Sequence, residues 1–90
     1  MPSYMIFYDV KKANNDAVAE QLREWECVQP FDSLWFGNLN DNAMNIRETL
    51  KSLSSVGEAL FICEVKPSSD WAGLKIHDTF TAWIRRNIGP

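Results

Sequence analysis

Few side chains in this sequence could do chemistry. Asp9 ends a run of large apolar and aromatic residues, Tyr4 to Tyr8. A carboxylate at the end of a buried strand can accept hydrogen bonds from loop amides, cap the next helix, or hold a metal ion beside a phosphate. Lys11 and Lys12 follow it, and Arg85 and Arg86 form a second basic pair near the other end. All four are nucleic-acid contact candidates, although a solvated loop or helix end is the plainer use of such pairs. His77 is the sole histidine, so a catalytic partner would have to be a Cys, Ser or carboxylate brought near by folding; a surface histidine is the simpler reading. Neither Ser33 nor Cys63 is framed by an elbow or an adjacent base. Cys27 and Cys63 lack metal-type spacing and read as core thiols.

The whole chain limits what these groups can do. Ninety residues make one domain, 1–90, of a size that must use its core efficiently and that gains from oligomerisation. With 46% hydrophobic residues, among them four Trp and five Phe, the composition argues against disorder. Nine basic and twelve acidic residues leave a net charge of −3, so the overall field disfavours a nucleic-acid partner and any such contact needs a local patch. No apolar run reaches membrane-spanning length and Met1-Pro2-Ser3 is unlike a signal peptide, so the expected compartment is the cytoplasm, without a membrane partner.

The elements that must position Asp9 follow from periodicity. Tyr4 to Val10 reads as a central strand. Val18, Leu22 and Trp25 step i, i+4, i+7, predicting a helix over roughly 15–26 capped by Asn14 or Asn15. Cys27 to Asp32 holds a very short strand that Pro30 confines to an edge or end, and Ser33 to Asn38 is rich in strand formers. Asn40 or Asp41 caps a second helix in which Ala43, Ile46, Leu50 and Leu53 share a face, and which stops near Ser54 and Ser55. Ala59 to Val65, bounded by Gly57 and Pro67, is a fourth strand.

Strand, helix, strand, strand, helix, strand closes most naturally as an α+β, ferredoxin-like βαββαβ sandwich with strand order 4-1-3-2 and two helices on one face. The fourth strand is then an apolar edge that invites pairing, by the tail or a second subunit. The core spans residues 3–66, and the extension 67–90 carries Ile76, Phe80, Trp83, Ile84 and Ile88 at helical spacing. This predicts a third helix over about 77–87, with Arg85 and Arg86 in its last turn. It is a candidate cover for the open sheet face. Trp35, Phe36, Trp71 and Trp83 could stack bases, but Asp32, Ser33 and Asn38 around them are not basic, so packing is their expected role.

Tyr8-Asp9 at the end of the first strand, Ser33-x-Trp35-x-Gly37 in the third and a length near ninety together resemble the small CRISPR-associated adaptation proteins, the CRISPR-associated protein 2-like superfamily of metal-dependent endoribonucleases. The virulence-associated protein D toxins share that architecture. The tail around Asp70-Trp71-Ala72-Gly73-Leu74 is similar to that of SinR-like small proteins beside the superfamily. The resemblance implies a homodimer in which Asp9 of each subunit faces its mate, catalytic Asp9 carboxylates sharing Mg2+ or Mn2+ for attack by water on phosphate. It departs in three respects: Lys11 and Lys12 lead into Ala13, Asn14, Asn15 and Asp16, where active members carry several basic residues, no second carboxylate sits beside Asp9 in sequence, and the chain is acidic overall. An interaction or structural module without strong nuclease activity is therefore the first expectation, a metal-dependent endoribonuclease the second, and a toxin-like or nucleic-acid-binding regulator the third.

Overall fold

The computed structural model describes residues 1–9, 17–54 and 58–89. In chain order the elements are β1 (Ser3–Asp9), α1 (Ala17–Glu24), β2 (Val28–Phe31), β3 (Leu34–Asn38), α2 (Ala43–Leu53), β4 (Ala59–Val65) and α3 (Asp78–Asn87). The strands form one sheet in the order β2-β3-β1-β4, and every neighbouring pair is antiparallel. Four antiparallel strands with three helices make a small α+β architecture, consistent with a ferredoxin-like fold. The expected first-helix cap at Asn14 or Asn15 lies outside the described residues.

Side chains of a strand alternate between faces, and β1 uses both. Tyr4, Ile6 and Tyr8 point into a core completed by Val18 and Leu22 of α1 and by Ile46 and Leu50 of α2. Met5 points the other way, into a second core in which Phe36 meets Phe80, Trp83, Ile84 and Ile88. The Phe36 and Phe80 ring centroids lie 4.9 Å apart. The extension thus covers one side of the sheet while α1 and α2 cover the other. It is tied down by Trp71 Nε1, which donates to the Gly89 carbonyl at 2.7 Å, and by the Ser68 amide, which donates to the Ile88 carbonyl.

Local sequence explains the ends of the helices. α1 stops in a Schellman arrangement: the Cys27 amide donates to the Leu22 carbonyl and the Glu26 amide to the Arg23 carbonyl, with Glu26 left-handed at φ 61°. The cap of α2 is Asn42, whose side chain accepts from the Asn45 amide at 2.8 Å, rather than Asn40 or Asp41. Asp41 instead braces the cap, accepting from the Asn42 amide and from Asn45 Nδ2. Leu53, expected on the buried face of α2, is exposed at its end.

Pro30 lies inside β2, a four-residue edge strand, where a missing ladder donor costs little. Gly37 in β3 has a packing reason. A Cβ there would collide with the Cys27 sulfur, so the strand can lie against the entry to β2 only without a side chain.

Candidate interaction surface and the placement of Asp9

The register aligns the strands into transverse rows on the face that α3 shares. One row runs Val28, Phe36, Met5, Cys63 across all four strands. Its first three members pack with α3. The adjacent row, one step toward the carboxyl end of β1, runs Phe31, Leu34, Phe7, Phe61. Only Leu34 of this row packs with the second core, while Phe31 is 54% exposed, Phe7 41% and Phe61 60%. At about 200 Å² per fully exposed ring, three phenylalanines leave roughly 300 Å² of apolar surface in water. That reaches the size of the largest patch on a typical monomer and marks a contact surface.

An apolar cleft of about 270 Å³ opens from this row beneath the tail, lined by Phe31, Leu34, Trp71, Leu74, Ile76 and Phe80 among others. Leu74 stands at its mouth, almost fully exposed.

Asp9 lies on the same face, beyond Phe7 and opposite Ala59, and is partly buried. Its chain neighbour Tyr8 turns the other way, into the core, and donates to Glu58 Oε1 at 2.8 Å. The Tyr-Asp pair is therefore divided by the sheet, with only the acid on the accessible side. Among the described residues no group of three or more His, Cys, Asp or Glu could hold a metal ion.

The basic candidates do not converge on Asp9. Asn38 Nδ2 donates to Asn87 Oδ1 at 2.7 Å, and Asn38 pairs with Ser3, so the last turn of α3 sits at the amino end of β1. Arg85 and Arg86 in that turn are exposed and lie roughly 20 Å along the sheet from Asp9, the length of a seven-residue strand. Lys11 and Lys12 fall outside the described residues. His77 is exposed at the N-cap position of α3 and makes no side-chain cap bond there.

Cys27 is a core thiol, and burial pushes its pKa up to about 11. Cys63 is not: it faces out from the sheet edge. The run Ala59 to Val65 has core composition, but an edge strand is flanked on one side only, and on the face that α3 shares Val65 packs with the second core while Phe61 and Cys63 are left exposed. Trp35, Phe36 and Trp83 are buried and Trp71 is partly so. The open aromatics are Phe7, Phe31 and Phe61, which sequence reasoning passed over. Their one signal was that β1 is apolar on both faces while a single short tail was available to cover the second.

Compared with known proteins, the chain matches no family model, no curated protein and no solved structure.

Proposed function

We propose that this chain is a ferredoxin-like module related to the CRISPR-associated adaptation proteins, working as a homodimer through contact surfaces rather than by cutting phosphodiesters. The observation that carries the reading is the open row of Phe31, Leu34, Phe7 and Phe61, one side chain from each strand. A small domain that leaves so much aromatic surface beside a filled second core has a partner to meet.

The charges near this row favour a protein partner over a polyanion. Asp32 follows Phe31 in the chain and Asp9 lies beyond Phe7, while Arg85 and Arg86 stand at the other end of the sheet. Among the described residues this end of the face carries acids, where phosphate contact would need cations.

Two measurements test the proposal together. Sedimentation velocity at micromolar concentration is expected to give a dimer, and structured and single-stranded RNA are expected to stay intact with Mg2+ or Mn2+. A monomer at every concentration overturns the homodimer, and metal-dependent cleavage abolished by Asp9→Asn replaces the module with the endoribonuclease.

A further inference from the structure

We propose that the cleft lined by Glu26 and Arg86 binds a free α-amino acid with an apolar side chain, its ammonium against Glu26 and its carboxylate against Arg86. The site is separate from the open phenylalanine row and does not depend on whether the chain dimerises.

The cleft, of about 320 Å³, opens beside the β2 edge, where the two helical layers meet round the rim of the sheet. Glu26, in the turn after α1, lines it from one layer, and Arg86 and Asn87 of α3 line it from the other. Asn38, the last residue of β3, lines it too. Trp25, Val28 and Trp83 supply apolar wall, Trp83 buried and the other two partly so. The volume is at the lower end of small-molecule sites, which suits a ligand of amino-acid size.

Glu26 and Arg86 carry opposite charges and share this cleft, yet they do not pair with each other. Among the described residues neither has an ion pair or a side-chain hydrogen bond. A molecule that bears both charges can bridge them. A simple anion would meet Glu26 as well as Arg86, and a simple cation the reverse, so the cleft discriminates against each.

Two carboxamides support Arg86. Asn38 Oδ1 accepts from Ser3 Oγ at 2.6 Å, Asn38 Nδ2 donates to Asn87 Oδ1 at 2.7 Å, and Asn87 Nδ2 donates to the Trp83 carbonyl at 2.8 Å. These bonds fix both amides without exhausting them. Each nitrogen keeps a second hydrogen with no partner among the described residues. Together with the guanidinium they match a carboxylate, which accepts several hydrogen bonds in one plane.

Glu26 holds its position against its own backbone preference. Its φ of 61° belongs to glycine's range, and its amide is held to the Arg23 carbonyl at 2.9 Å. A glutamate where glycine fits better points to a side chain with a use beyond folding.

Titration of the isotope-labelled chain with L-leucine or L-phenylalanine, followed by NMR, is expected to shift the side-chain amide signals of Asn38 and Asn87 saturably. N-acetyl-L-leucine, which lacks the ammonium, and L-leucinamide, which lacks the carboxylate, should each bind at least about tenfold more weakly, the effect of one lost charge-assisted contact. Arg86→Gln and Glu26→Gln should each weaken L-leucine by a similar factor without unfolding the chain, because both positions are exposed. Glu26→Gly should melt higher and bind less, a combination that a purely structural role does not give. N-acetyl-L-leucine binding as tightly as L-leucine, or inorganic phosphate shifting the same signals as strongly, overturns the zwitterion site and leaves an anion site only. No saturable shift with either amino acid at millimolar concentration, or shifts that persist in both glutamine variants, overturns the site altogether.

Discussion

Tyr8 Oη donates to Glu58 Oε1 at 2.8 Å, joining the carboxyl end of the central strand to the residue that leads into the edge strand. The ring lies in the core beneath the helices, so this bond forms where water competes little. Tyr8→Phe keeps the ring and deletes the donor. It should cost about 1.5–3 kcal/mol, the range for a hydrogen bond to a charged acceptor, read as a lower midpoint at unchanged slope in urea unfolding. No change in midpoint would remove the bond from any account of the fold.

Gly37 and Cys27 share one space. Gly37→Ala should cost about 1–3 kcal/mol through overpacking. In the double variant Gly37→Ala with Cys27→Ala, the new methyl occupies room the sulfur has vacated, so its cost should fall below the sum of the single changes. Strict additivity in urea unfolding would mean that the two residues do not touch.

The same cysteine makes stability depend on pH at the alkaline end. Burial raises the Cys27 thiol from its ordinary 9.0 to about 11. The unfolded chain therefore releases this proton first, so the contribution is complete below pH 9 and is lost as pH climbs through 11. Cys27→Ala should flatten that part of the stability curve. At pH 8 a thiol reagent should modify Cys63 in the native protein and reach Cys27 only after unfolding. Two fast-reacting thiols in the native state would contradict the burial.

Glu26 occupies a left-handed conformation that a side chain resists and glycine does not. Glu26→Gly should raise stability by about 0.5–1 kcal/mol, visible as a melting temperature a few degrees higher. A loss of stability would show that the Glu26 side chain matters more than its backbone.

Arg85 and Arg86 lie far along the sheet from Asp9, which sets an expectation for RNA. A gel shift at low salt should show no binding that depends on the pair, and replacing both by Ala should leave the pattern unchanged. Affinity that falls steeply with salt, and falls further in that variant, would restore a phosphate-binding role to this end of the molecule.

The elements were legible because each carries a local signal. Val18 and Leu22 step at helical spacing, Gly37 and Asn38 close a strand, and Phe80, Trp83, Ile84 and Ile88 share one face of the last helix. What the sequence hid is collective. Tyr4 to Tyr8 is apolar at every position, so alternation could not say how far along β1 the second cover would reach. Cys63 resembled a core residue because the edge position that exposes it follows from sheet order, not composition. Asn40, Asp41 and Asn42 are all good caps, and only backbone geometry chose the third. The exposed row needs the register of four strands at once, and no single segment contains it.

The central strand is also the first of the sheet to be synthesised. Its neighbours in the sheet are β3 and β4, and at about 5–20 residues per second the fifty residues between Asp9 and Ala59 take roughly 3–10 s to emerge. For that interval the most apolar segment of the nascent chain has at most one flank to pair with, and none until β3 emerges. Productive folding must await β4, and a translational pause before residue 59 would prolong the period in which Tyr4 to Tyr8 invites a chaperone or an aggregate.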